Sequence, residues 1–125
     1  MKSSSPKIAD SELLIMKLLW EEAPQTAGDI IKKLETNVNW APKTIKTLLN
    51  RLVKKKALGF EKEGRSYLYF PRIREKDYKH HATRNFINRV FDGALKPLVA
   101  TYLEDGKLTQ KEIEELKKIL DNKGE

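Results

Sequence analysis

Residues 39–71 read NWAPKTIKTLLNRLVKKKALGFEKEGRSYLYFP, and this stretch decides the fold. Pro42 suits the first turn of a helix, where its fixed φ and missing N–H group do no harm. A helix from Pro42 to about Lys55 puts its apolar residues on one arc: Ile45, Leu48, Leu49 and Leu52. The stretch therefore predicts an amphipathic helix with one buried face.

The outward face of this helix is basic and rich in hydrogen-bonding groups. Opposite or beside the apolar arc lie Lys43, Thr44, Lys46, Thr47, Asn50, Arg51 and Lys54. No carboxylate stands among them, whereas an ordinary solvated helix mixes both signs of charge. Residues 40–74 hold 10 basic and 2 acidic residues, a local charge of +8 in a chain whose total is +7. Such concentration indicates a polyanionic partner, nucleic acid above all; the alternative is a merely solvated basic face.

A hairpin with a basic tip follows the helix. Two β-prone segments, residues 57–61 and 66–71, flank a short polar turn. Gly64 in that turn supplies the positive φ that a tight hairpin needs. Lys62 and Arg65 extend the basic surface from the helix onto the hairpin.

Two further helices are expected before residue 39. Residues 10–22 show apolar spacing typical of a helix. Pro24 has no backbone N–H to donate, so this helix is expected to end before it. Thr26 and Asp29 form the capping box of a short second helix, and residues 37–40 are expected to be one extended strand. The order of elements predicts a mainly α fold with a small β wing, a winged helix-turn-helix. The alternative is a small α+β domain with an accidental basic face.

Residues beyond 74 predict three more helices with exposed apolar stripes. Residues 77–125 hold 9 basic and 9 acidic residues, so the positive charge stops here. Three short helices cannot easily bury such stripes alone, which favours a second copy of the chain as partner; packing onto the chain's own winged helix is the alternative. We therefore assign residues 1–74 to DNA binding and 75–125 to dimerisation. The expected dimer contacts are Phe86, Val90, Leu95, Leu98, Val99, Tyr102, Ile113, Leu116 and Leu120.

The composition excludes several classes of function. The chain has no cysteine, so disulfides and cysteine metal sites are excluded. His80 and His81 are adjacent, so on a helix they point about 100° apart and cannot chelate one metal together. We expect no catalytic residue, no metal and no cofactor, and an enzyme is the most distant hypothesis. No apolar run approaches the ~20 residues of a membrane span, which predicts a cytoplasmic protein without direct membrane binding.

Several segments resemble the penicillinase-repressor family of the BlaI and MecI type. Residues 39–56 are similar to the family's central helix, and residues 63–69 (EGRSYLY) to its wing. Leu19-Trp20 resembles the end of its first helix. The similarity continues through residues 86–88 (FIN) and 108–113 (LTQKEI), so it spans nearly the whole chain.

This resemblance implies a homodimeric repressor on an inverted repeat of TACA/TGTA type, in promoters of β-lactam-resistance operons. It also implies that a membrane sensor-transducer acts upstream and that cleavage in the C-terminal domain ends repression. The family's cleaved Asn–Phe bond corresponds to Thr101–Tyr102 here. The cysteine metal hook of the family's copper-responsive branch is absent. Ala9 and Ala41 replace the family's usual capping serines, which predicts slightly weaker helix starts.

The predicted DNA contacts fall into three groups. Five residues are expected in the major groove: Lys43, Thr44, Lys46, Thr47 and Asn50. Arg51 and Lys54 lie further along the helix and are expected to hold phosphates. Lys62 and Arg65 of the wing are expected at the backbone or minor groove. The alternative from another class is a winged-helix adaptor whose basic patch pairs with an acidic protein.

Overall fold

The computed structural model describes residues 6–124 and is mainly helical with one small sheet, which confirms the predicted fold class. The elements follow in the order α1 Asp10–Glu21, β1 Gln25–Thr26, α2 Ala27–Leu34, α3 Pro42–Lys54, β2 Leu58–Glu63, β3 Ser66–Pro71, α4 Glu75–Phe91, α5 Leu95–Glu104 and α6 Gln110–Lys123. The chain forms two compact units, of which the first ends at His81 and the second begins at Ala82. The functional division after residue 74 stays a prediction.

The first unit contains a three-stranded antiparallel sheet in the order β1-β3-β2. Strands β2 and β3 form the predicted hairpin, in which Glu63 pairs with Ser66 across the two-residue turn Gly64-Arg65. Gly64 has a φ of 62°, as the sequence predicts. The left-handed conformation closes the hairpin without the steric strain that a Cβ atom would add.

The prediction of a strand at residues 37–40 is wrong, because the structure has no strand there. The N–H groups of Asn37 and Val38 both donate to the carbonyl oxygen of Leu34, at 2.9 Å, so this segment is tied to the end of α2. The third strand is instead β1, whose residues Gln25 and Thr26 pair with β3. Two residues are too few to show the alternation by which a strand is recognised in a sequence.

The core of the first unit packs α1, α2 and α3 against the start of the hairpin. The four apolar residues predicted on one arc of α3 are all buried, as are side chains from α1 and α2. Burying each leucine or isoleucine contributes about 1.5–3 kcal/mol, so rotation of α3 about its axis is strongly opposed. The core is formed by Ile15, Met16, Leu19, Ile30, Leu34, Ile45, Leu48, Leu49, Leu52, Ala57 and Leu58.

The end of α3 is defined by its backbone. Lys56 has a φ of 67°, and its N–H donates to the carbonyl of Val53. The N–H of Ala57 donates to the carbonyl of Leu52, at 3.0 Å. These two bonds form a Schellman motif, which usually has glycine in the left-handed position that Lys56 occupies here.

The second unit contains most of α4, with α5 and α6. Gly93 and Gly106 have positive φ values, and each ends a helix where the sequence predicts a break. Thr109 caps α6 by accepting a hydrogen bond from the N–H of Glu112, and the Glu112 carboxylate accepts one in return from Thr109. Within residues 6–124, no helix combines the length and apolar character needed to cross a membrane.

Candidate nucleic-acid interface

The outward face of α3 is the centre of the candidate interface. All seven polar residues predicted for this face are exposed: Lys43, Thr44, Lys46, Thr47, Asn50, Arg51 and Lys54. The first turn of α3 holds no acidic residue, and its N-cap, Ala41, supplies no side-chain hydrogen bond. Since the opposite arc is buried in the core, these side chains are presented together on one rigid helix.

Thr47 and Asn50 differ in the hydrogen-bonding groups that they present. The Thr47 hydroxyl donates to the carbonyl of Lys43, at 3.0 Å, so its oxygen remains available as an acceptor. The Asn50 side chain is exposed at the middle of the helix and carries both a donor and an acceptor group. A paired donor and acceptor is the arrangement by which an amide recognises adenine in the major groove.

A groove of about 550 Å³ joins α3 to the turn of the hairpin. Lys46 and Asn50 of α3 line it together with Arg65, Ser66 and Tyr67 of the hairpin. Residues around the start of α2, including Gly28, also line it. The fold therefore brings Arg65, which the sequence assigns to a separate element, to the same groove as the helix residues.

A second groove, of about 440 Å³, lies beside the last turns of α3. Asn50 and Lys54 line one side, and three aromatic side chains of the hairpin line the other: Phe60, Tyr67 and Tyr69. Burial and the neighbouring Tyr67 raise the pKa of the Tyr69 phenol, so this hydroxyl stays protonated at neutral pH. These three aromatic residues are not among the contacts predicted from the sequence.

The two faces of the hairpin carry different charges. Lys62 pairs with Tyr67 across the strands, so it shares the face of the aromatic side chains. Glu61 and Glu63 alternate with Lys62 along β2 and therefore point to the other face. These are the only acidic residues between positions 40 and 74, so the acidic side chains lie on the face away from the aromatic residues.

An ion pair between the buried Glu12 and the half-buried Lys55 ties the end of α3 to α1. Glu12 of α1 is 1% exposed and accepts hydrogen bonds from the Lys55 ammonium group, at 2.5 Å, and from the Ala9 N–H, at 2.8 Å. The Lys55 ammonium group also donates to the Lys7 carbonyl. Burial raises the pKa of the Glu12 carboxyl. The hydrogen bonds from Lys55 and Ala9, with the charges of Lys55 and Arg51, lower this pKa more, to below the usual 4.5. Lys55 therefore serves the fold, although it lies in a basic run.

Trp20 holds the start of α4 inside the first unit. Its indole N–H donates to the carbonyl of Ile73, at 3.0 Å. Its ring lies 5.7 Å from the ring of Tyr78, centroid to centroid. Burial and the charge of Asp10 raise the pKa of Tyr78. The segment after the hairpin is thus fixed against α1.

The second unit exposes the apolar residues predicted for dimerisation. Seven of the nine are exposed, namely Phe86, Val90, Leu95, Val99, Tyr102, Leu116 and Leu120, and the other two, Leu98 and Ile113, are half-buried. An apolar groove of about 660 Å³ runs between α5 and α6. Three of the residues that line it are not among the nine predicted contacts: Leu103, Leu108 and Ile119. Thr101 and Tyr102 lie within α5, both exposed.

Within the described residues, no group of three or more His, Cys, Asp or Glu side chains could hold a metal ion.

Comparison with known proteins places the chain in a family. The family model described as penicillinase repressor matches residues 8–122. The chain is 42% identical to the penicillinase repressor of Bacillus licheniformis over 116 residues, which cover 93% of this chain and 91% of that protein. It is 35% identical over 123 residues to the methicillin resistance regulatory protein MecI of Staphylococcus aureus strain N315, with 98% of this chain and all of that protein covered.

Solved structures of related proteins are also similar to this chain. The solution structure of the monomeric form of Bacillus licheniformis BlaI, in complex with the blaP half-operator, has a TM-score of 0.54 and 46% sequence identity. The match covers 62% of this chain and 94% of that chain. Together with the family match over residues 8–122, this confirms the resemblance seen in the sequence. The chain belongs to the penicillinase repressor family.

Proposed function

We propose that this chain is a DNA-binding transcriptional repressor. The observation that carries the proposal is the outward face of α3, where Lys43, Lys46, Arg51 and Lys54 are exposed and no acidic residue stands among them. Arg65 of the hairpin shares a groove with Lys46. The major groove of B-DNA admits one α-helix, and a basic helix with a basic hairpin matches the charge of its phosphates. The BlaI complex with a half-operator supports the proposal, since that protein matches 62% of this chain at 46% sequence identity.

We assign the side chains of the interface to three kinds of DNA contact. Lys43, Thr44, Lys46, Thr47 and Asn50 contact base edges in the major groove. Arg51 and Lys54 hold phosphates, and Lys62 and Arg65 of the wing contact the backbone or the minor groove. The division follows from position, because residues nearer the start of a recognition helix enter the groove more deeply.

Duplex binding at several salt concentrations tests this proposal. A fluorescent duplex is titrated with the full chain between about 50 and 200 mM salt, and log Kd is plotted against log salt. A DNA-binding repressor gives a straight line with a slope set by the number of phosphates that it neutralises. An adaptor for an acidic protein binds the duplex weakly or not at all, and that result would overturn the proposal.

We also propose that the repressor is a homodimer on an inverted repeat of TACA/TGTA type that controls β-lactam-resistance genes. Exposed apolar side chains on all three helices of the second unit support the dimer, since a monomer rarely leaves so many in water. Two recognition helices related by a two-fold axis require half-sites about 10 bp apart. The names of the penicillinase and methicillin relatives support the choice of regulated genes.

Leu120→Asp tests the dimer. Leu120 is 63% exposed, so the substitution does little to the protomer but puts a charge into the proposed interface. We expect a monomer by light scattering, with weak binding to the inverted repeat and unchanged binding to a single half-site. Lys118→Asp, on the opposite side of α6, is the matched control and should stay dimeric. A dimer for Leu120→Asp would place the interface elsewhere.

We further propose that cleavage of the Thr101–Tyr102 bond ends repression, after a signal from a membrane sensor-transducer. Tyr102 is 57% exposed, so it is accessible on the surface of α5. A protease binds an extended backbone, so this turn of α5 must unwind first. Cleavage there separates α6 from the rest of the chain and removes the effective concentration that each half-site provides for the other.

Truncation after Thr101 tests this mechanism. The truncated chain should be a monomer that binds a half-site normally and the inverted repeat weakly. Truncation after Asn122, which keeps the apolar residues of α6, is the control. Affinity of the Thr101 truncation for the inverted repeat equal to that of the full chain would refute the mechanism.

A further inference from the structure

The hairpin exposes aromatic rings that the interface described so far leaves unused. Phe60 is 48% exposed and Tyr67 is 45% exposed. Their rings pack edge to face with centroids 5.0 Å apart, and Phe60 lies 6.2 Å from Tyr69. Exposed aromatic clusters of this kind mark binding surfaces, because burying them in a contact releases apolar area from water.

The position of the cluster relates it to α3. The pairing of β2 with β3 sets Phe60 opposite Tyr69, so both point to one face of the hairpin. That face and α3 enclose the groove of about 440 Å³ that Asn50 and Lys54 also line. The hairpin, which we assign to the backbone or the minor groove, therefore turns its aromatic rings toward α3, which we assign to the major groove. In a DNA duplex, one sugar–phosphate strand separates the major groove from the minor groove.

The charge around the groove fits such an occupant. Lys54 lines it and Lys62 shares the aromatic face, while Glu61 and Glu63 point away from it. The Tyr67 hydroxyl adds a hydrogen-bond donor beside the rings. Cations and hydroxyl donors suit a phosphate, and the flat apolar rings suit the carbon face of a deoxyribose.

We propose that this groove holds one sugar–phosphate segment of a DNA strand, with the Phe60 and Tyr67 rings packed against deoxyribose and Lys54 at the adjoining phosphate. The proposal rests on the proposed DNA-binding function and adds a chemical selection to it. A ribose in this place would bury its 2′-hydroxyl against an aromatic ring without a hydrogen-bond partner, which is unfavourable. The groove thus selects deoxyribose over ribose at one or two positions of each half-site, and Phe60 determines that selection.

The test scans single ribonucleotides along one strand of a bound duplex, with the full chain and Kd measured by fluorescence anisotropy. At one or two adjacent positions of each half-site, we expect one 2′-hydroxyl to weaken wild-type binding about tenfold. The variant Phe60→Thr keeps a strand-forming residue and removes the ring. At the same positions its ratio of ribo to deoxy Kd should fall to about twofold or less. Glu61→Thr, on the other face, should keep the tenfold ratio.

Two further duplexes separate this contact from other causes. A 2′-fluoro nucleotide at the sensitive position favours the ribose pucker but has no hydroxyl, so it should bind nearly as well as deoxyribose; an equal loss would overturn the proposal. Uracil in place of thymine removes a base methyl group, and sensitivity to this change alone would assign the rings to a base instead. Equal ratios of ribo to deoxy Kd for wild type and Phe60→Thr would also overturn the proposed contact with deoxyribose. If wild type fails to bind the all-deoxy duplex, the proposed function itself has failed.

Discussion

Replacing Lys55 with methionine removes the cation at the end of α3 that pairs with the Glu12 carboxylate of α1. Glu12 is 1% exposed, and the Lys55 side chain is 34% exposed. Removing one partner of a fully buried pair destabilises a protein by about 3–5 kcal/mol. Glu12 keeps the hydrogen bond from Ala9, at 2.8 Å, and Lys55 is partly in water, so we expect about 2–3 kcal/mol for Lys55→Met. Glu12→Gln keeps the shape of the side chain and should lose about 1–2 kcal/mol.

The double variant measures the pair itself. Glu12→Gln with Lys55→Met should be less destabilised than the sum of the single variants, with a coupling of about 1–2 kcal/mol. Urea unfolding followed by tryptophan fluorescence is the assay, because Trp20 and Trp40 both lie in the first unit. Lys54→Met, at an exposed position of the same helix end, should change the stability by less than about 0.5 kcal/mol.

The pH dependence supplies an independent check with a definite sign. The pKa of Glu12 is lower in the folded state than its usual 4.5, so the unfolded chain binds this proton more readily. The stabilisation from Glu12 is therefore complete above pH 4.5 and is lost as the pH falls through the folded pKa. Additive single variants, or a difference between wild type and Glu12→Gln that persists at still lower pH, would refute the reasoning.

Three further predictions concern single positions of the first unit. Asn50→Ala should lose about 1–3 kcal/mol of binding free energy on the specific site alone. Lys54→Ala should weaken binding to all duplexes alike and lower the slope of log Kd against log salt by about one. Equal losses of Asn50→Ala on specific and random duplexes would contradict the assignment of Asn50 to base edges. Lys56→Gly should raise the free energy of unfolding by about 1 kcal/mol in urea, because glycine relieves the left-handed strain at φ 67°, and a less stable variant would count against the Schellman motif. Trp20→Phe should lower the free energy of unfolding in urea by at least about 1 kcal/mol, since the hydrogen bond to the Ile73 carbonyl and the five-membered ring of the indole are both lost; an unchanged free energy would show that this bond adds nothing.

The sequence predicted those features whose partners lie a few residues apart. The capping boxes at Thr26 and Thr109 follow from a spacing of three residues, and the structure contains both. The buried arc of α3 follows from helical periodicity in the same way. Local patterns thus sufficed for helix limits, for the hairpin and for the exposed basic face.

Features that join distant segments had no such signal. Glu12 reads in the sequence as an ordinary acidic residue in the first turn of a helix, but its partner Lys55 lies 43 residues away. The aromatic side of the groove depends on the register of β2 against β3 and on how the hairpin meets α3. Within each strand, the two-residue spacing of Phe60 and Lys62, and of Tyr67 and Tyr69, does indicate that each pair shares a face. That this face meets α3 has no such local signal.

Selection of bound sequences from a pool of random duplexes tests the central claim most directly, because it needs no prior choice of operator. The full chain is incubated with the pool at physiological salt, and bound duplexes are recovered, amplified and sequenced over several rounds. A dimeric repressor should enrich an inverted repeat whose half-sites are centred about 10 bp apart. A pool that stays random, or a single unrepeated site, would contradict a dimeric repressor that reads DNA with α3.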